Sequence, residues 1–96
     1  MLNNSQKRRL RSLAHARRPF VIVGDNGLTQ ATLNEIDLSL NHHELIKVRI
    51  QAADRHNRAA VVEQLCQALG TELIQKIGHI AVLFRPNAEV PGIQLP

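Results

Sequence analysis

Four apolar residues, Phe20-Val21-Ile22-Val23, run directly into Gly24-Asp25-Asn26-Gly27 and then into Leu33, Ile36 and Leu40 at helical spacing. A short continuous β-branched run reads as a strand covered on both faces. Asn-Gly is a hairpin signal, but the residues after it do not alternate as a returning strand would. Thr29 is instead placed to cap a helix. The result is a strand–turn–helix unit, and it commits the chain to mixing helices with sheet.

The remaining segments extend this pattern. Residues 5–17 read as a helix, with Ser5 as its cap and Leu10, Leu13 and Ala14 on one apolar face; Pro19 stops it. Residues 44–50 alternate, with Ile46, Val48 and Ile50 on one face and Lys47 and Arg49 on the other, as in a half-buried strand. Asp54 is placed to cap a helix running to about Leu69, with Val62, Leu65, Cys66 and Leu69 as its stripe and Gly70 as its stop. Residues 72–77 and 80–85 form a hairpin around Gly78-His79. The order α-β-α-β-α-β-β predicts an α/β sandwich around a mixed four-stranded sheet, with parallel neighbours in the strand–helix–strand units.

Composition sets the scale. Ninety-six residues, 44% of them apolar, support one core, so residues 1–96 are expected to form a single domain with an extended tail from Pro86, pinned by Val90, Ile93 and Leu95. One cysteine gives no intramolecular disulfide. No apolar run approaches a membrane span, and the basic N-terminus leads into no signal-peptide core, so the expected location is the cytoplasm. The net charge of +4 is unevenly placed. Residues 1–18 carry Lys7, Arg8, Arg9, Arg11, Arg17 and Arg18 without one acid, whereas the remainder carries six basic and eight acidic residues. Like charges without i,i+4 acids repel one another, which points to a polyanionic partner. Trp and Tyr are absent and Phe occurs twice, so base stacking on aromatic platforms is disfavoured.

The turn Gly24-Asp25-Asn26-Gly27 is the sharpest candidate site. Glycines permit close backbone approach, and N–H groups ahead of a helix N-terminus suit a phosphate. The same spacing also serves a plain structural turn, and the Asp25 carboxylate opposes an anion. Lys47 and Arg49 either extend the basic surface or are simply the polar side of an amphipathic strand. Five histidines and Cys66 show no zinc spacing, and the serines no nucleophile context, so no metal, cofactor, catalytic residue or small-molecule substrate is expected.

Four stretches in order resemble the chloroplast RNA splicing and ribosome maturation (CRM) domain family, in its stand-alone YhbY-type form. They are the basic helix ending Leu13-Ala14-His15, then Pro19; Val21 to Thr29 with its GxxG turn; His43-Glu44-Leu45-Ile46-Lys47-Val48; and Ile77-Gly78 followed by Val82-Leu83-Phe84-Arg85-Pro86. The resemblance implies a fold like the C-terminal domain of translation initiation factor three, with the last strand antiparallel to the other three. It also implies RNA binding, the glycine loop being similar to the backbone clamp of KH domains. Bacterial stand-alone members are associated with precursors of the large ribosomal subunit, and a single domain fits that form. Gly24 and Gly27 match the loop glycines; Asp25 and Asn26 fill a pair where many relatives carry a basic residue. Arg85 is placed either to reach a phosphate or to end a strand, the structural role being favoured.

The expectation is a non-enzymatic protein that binds ribosomal RNA and assists large-subunit assembly. Lys7, Arg8, Arg9, Arg11, Arg17, Arg18, Lys47 and Arg49 would supply charge, and Gly24, Asn26 and Gly27 close approach. The competing expectation is a module that docks on an assembly factor or ribosomal protein without touching RNA.

Overall fold

The computed structural model describes residues 2–17, 20–52, 54–87, 89 and 91–96. Helix α1 (Asn4–Ala16) is followed by β1 (Phe20–Val23), α2 (Gln30–His43), β2 (Leu45–Ile50), α3 (Arg55–Leu69), β3 (Glu72–Ile77) and β4 (Ile80–Phe84). The predicted order holds. No helix among the described residues is long and apolar enough to cross a membrane.

The strands lie in the order β1-β2-β4-β3. β1 is parallel to β2, while β4 is antiparallel to both β2 and β3. The last strand therefore opposes the other three, as the family resemblance implied. The strand–helix–strand expectation is met by β1 and β2 but not by β2 and β3. Those two run in the same direction without touching, because the two-residue turn at Gly78-His79 lets β4 fold back between them.

Helix boundaries follow from capping. The Asn3 side chain accepts from the Gln6 N–H, and the Gln6 side chain accepts from the Asn3 N–H, a reciprocal capping box. Asn3 thus takes the cap expected at Ser5, which lies inside the helix. Arg17 is the C-cap rather than a helical residue. Thr29 and Asp54 cap α2 and α3 as expected. Gly70 closes α3 with φ +61°, the left-handed conformation that glycine adopts without steric cost.

The sheet separates two cores. On one side α2 and α3 cover Val21, Val23, Ile46, Val48, Ile50, Ala81 and Leu83 with Ile36, Leu40, Val62 and Leu65. On the other, Leu10 and Ala14 of α1 pack on Leu45, Ile74, Val82 and Phe84, with Ile93 and Leu95 of the tail against them. Those two tail anchors behave as predicted; Val90 lies outside the described residues. The end of β1 is not covered on both faces, as its unbroken apolar run implied. Ile22 is 53% exposed, on the face opposite Val21 and Val23.

The junction between α2 and β2 was not foreseen. Glu44 begins no strand: it is the C-cap of α2, with φ +62°, and only 5% exposed. A side chain in that conformation is strained and persists only when its surroundings hold it there. Its carboxylate accepts from the backbone N–H of Asn87, Gly92 and Ile93 at 2.5, 2.8 and 2.9 Å. The strain is offset by anchoring the C-terminal tail along the edge of α1, where the Gln6 amide also donates to the Pro96 carbonyl.

Candidate nucleic-acid interface

Residues of α1 pack on only part of their sheet face. Two cross-strand rows beside that contact combine cations with apolar side chains. One runs Ile22, Arg49, Ile80 and Ile77 across all four strands. The next carries Lys47, Val82 and Gln75, with the Phe20 backbone paired to Lys47. A groove forms where α1 meets these rows, lined by Arg11, Ala14, His15, Lys47, Gln75, Ile77, Ile80 and Val82. No acidic side chain lines it. The strand pattern of Lys47 and Arg49 thus places both on the face expected for them, Lys47 half-buried and Arg49 exposed.

Helical geometry sorts the N-terminal cations. At 100° per residue, Arg9 and Arg11 flank the buried Leu10 on opposite sides of α1. Arg11 falls on the groove side, one turn after Lys7 and one turn before His15. Arg8 lies outward, exposed, next to this row. Arg9 falls on the other edge. Arg17 donates from its guanidinium to the His43 carbonyl at 2.8 Å and so ties α1 to the end of α2. Arg18 lies outside the described residues. Of the six cations read as one patch, Lys7, Arg8 and Arg11 thus fall on the side of α1 that borders the open sheet, Arg11 lining the groove and Arg8 pointing to solvent beside it.

The glycine turn sits at the same end of the sheet. It follows β1 directly, and the Gln51 N–H donates to the Val23 carbonyl while the Ile50 N–H donates to the His79 carbonyl. The Gly27 N–H closes the turn onto the Gly24 carbonyl at 3.1 Å, and φ of +77° explains the glycine at 27. The turn precedes α2 as expected, with Thr29 as the cap of that helix. Leu28 and Thr29 intervene, and the Thr29 hydroxyl already accepts from the Thr32 N–H. The helix end is thus capped from within. What the turn presents is its own exposed corner at Asp25 and Asn26.

Other candidates resolve into structure. The Arg85 guanidinium donates to Asp37 Oδ1 and to the Asp37, Leu69 and Asn41 oxygens at 2.8–3.1 Å, binding α2 to the end of α3. Its structural role accounts for every one of these contacts. Cys66 is partly buried, and burial raises its thiol pKa above the usual value, with the Glu72 carboxylate adding to the shift. Among the described residues no group of three or more His, Cys, Asp or Glu could hold a metal ion. Sequence reasoning missed Glu44 because it treated the residue as the start of the alternating strand. The available signal was an acid at the helix–strand junction, where glycine or asparagine is usual.

Fold and surface together define a small α/β domain with a cationic, partly apolar sheet face. Residues 2–85 match the CRS1 / YhbY (CRM) domain, and the chain belongs to that family. It is 45% identical over 95 residues to an RNA-binding protein of Haemophilus influenzae, covering 99% of this chain and 95% of that one. It is 35% identical to a protein of Bacillus subtilis named "Probable RNA-binding protein", across the full length of both. The solution structure of a hypothetical protein from Staphylococcus aureus superimposes with a TM-score of 0.83 at 38% identity, again over both whole chains.

Proposed function

We propose that this protein binds ribosomal RNA in precursors of the large subunit, in the cytoplasm, and assists their assembly without chemistry of its own. The observation that carries the reading is the acid-free groove between α1 and the sheet, with Arg11, Lys47 and Arg49 on one face of the sheet and the glycine turn following β1 at its edge. Cations at that density neutralise phosphates and release counterions, which is the main source of affinity for a nucleic-acid backbone. The names of the relatives support RNA over another polyanion, and the family resemblance directs the choice to ribosomal RNA. Asn26, exposed at the corner of the turn, and the backbone at Gly24 and Gly27 supply a close approach beside that charge.

Sedimentation of a lysate containing the tagged protein tests this. The protein is expected in the fraction of large-subunit precursors and is expected to leave it after ribonuclease treatment. Retention after ribonuclease would assign the contact to protein, and failure of the purified protein to bind ribosomal RNA fragments at low salt would overturn RNA binding itself.

A further inference from the structure

We propose that the open half of the sheet receives an unpaired nucleotide, its base lying on the aliphatic floor and its phosphate on the cationic rim. This rests on the RNA-binding reading and narrows the ligand to RNA that carries a base outside its helix. Contact with a duplex backbone requires charge and close approach; it does not require apolar surface. Yet Ile22 and Ile77 are 53% and 52% exposed, and they are the two ends of a single row whose centre is Arg49 and Ile80. Isolated exposed apolar residues need no explanation, but three isoleucines set in one row around a guanidinium, beside Arg11 and Lys47, mark a binding surface.

The chemistry fits one base. Unpaired bases are recognised by stacking on aromatic rings or guanidinium planes, together with hydrogen bonds to their edges. The chain lacks Trp and Tyr, and Arg49, in register between Ile22 and Ile80, offers a planar guanidinium within this row. Gln75, in the next row, carries both a donor and an acceptor for a base edge. Arg11 and Lys47 on the groove wall complement a phosphate. The hollow encloses about 190 Å³, below the roughly 300–1,000 Å³ of pockets for drug-sized ligands, which suits one flat ring rather than a larger molecule.

The test compares two RNA hairpins of equal length and charge, one fully paired and one with a single-nucleotide bulge, by fluorescence anisotropy. The wild-type protein is expected to prefer the bulged hairpin by about tenfold, the worth of covering one half-exposed isoleucine. Ile77→Ser, a surface substitution checked for folding by circular dichroism, should abolish the preference, so that the two hairpins bind with equal affinity. A 4-thiouridine at the bulge should crosslink to residues 75–80. Equal affinity of the wild type for the two hairpins overturns this proposal alone, as does crosslinking confined to residues 24–27. Unchanged preference in Ile77→Ser overturns it too and leaves the apolar row to a protein partner. Failure to bind either hairpin at low salt overturns the RNA-binding reading as well.

Discussion

Arg9 and Arg11 carry the same charge, two residues apart on one helix, and the structure assigns them opposite fates. Arg11 lines the groove; Arg9 lies on the far edge of α1, about 200° around the helix axis. If RNA occupies the open half of the sheet, the cations within its reach on that side are Lys7, Arg8, Arg11, Lys47 and Arg49. Each neutralised phosphate contributes about 0.7–0.9 to the slope of log affinity against log salt, so a slope near −4 is expected for the wild-type protein. That corresponds to a loss of about 250-fold between 50 and 200 mM salt. Arg11→Ala should flatten the slope by about 0.8, and the Arg11→Ala, Lys47→Ala pair by about 1.6. Arg9→Ala removes an equal charge and should leave the slope unchanged. Alanine is a strong helix former, so neither helix substitution should cost stability, which thermal melts would verify. Anisotropy titrations at five salt concentrations measure the slopes. Equal flattening by Arg9→Ala and Arg11→Ala would mean that net charge alone governs binding, and the assignment of a face would be wrong.

Glu44→Ala removes an acceptor shared by three backbone N–H groups and should cost about 3 kcal/mol in urea unfolding, part of the loss being regained as the freed tail hydrates. The Gly92 and Ile93 amides should then exchange with solvent at rates typical of an open chain. Gly27→Ala should cost about 1 kcal/mol because φ is +77° there, whereas Gly24→Ala, with open space around its Cβ position and no positive φ, should leave the melting temperature nearly unchanged. Arg85→Lys cannot reproduce the guanidinium fork across Asp37, Asn41 and Leu69 and should cost about 2 kcal/mol, again by urea unfolding. Cys66, whose thiol burial pushes up, should alkylate with iodoacetamide at pH 8 more slowly in the folded than in the unfolded protein.

Most of the architecture was legible because it rests on local signals. Thr29, Asp54 and Gly70 end their helices through side-chain or backbone chemistry confined to a few residues, and the alternation of Ile46, Val48 and Ile50 records the sheet face directly. Apart from the α1 cap, which Asn3 takes in place of Ser5, the failures are non-local. An unbroken apolar run at β1 does not reveal that its far end escapes cover, because that depends on where α1 crosses the sheet. Nothing within residues 43–48 reveals that the Glu44 carboxylate will meet Gly92, which is 48 positions away. The second strand–helix–strand unit misled for a similar reason. Whether β3 or β4 lies beside β2 is decided by the hairpin, after the unit itself is complete.

The charge pattern shows the same division between composition and geometry. Six cations without an acid are evident in the first 18 residues, but a helix distributes any such cluster around its axis. Packing of Leu10 and Ala14 against the sheet then decides which cations share a direction with Lys47 and Arg49. This selection also bears on Asp25. An acid at the corner of the glycine turn is a fault only if the turn itself must carry the phosphate. With Thr29 capping α2 from within and the cations gathered on the neighbouring sheet face, charge is supplied by the sheet and α1, not by the turn. An acid there raises the electrostatic cost of a backbone that drifts off the open face toward the loop. On that account Asp25→Asn should raise affinity for paired and bulged RNA alike. If it instead lowered affinity for both, the carboxylate would be a contact and the turn, not the sheet, would be the centre of the interface.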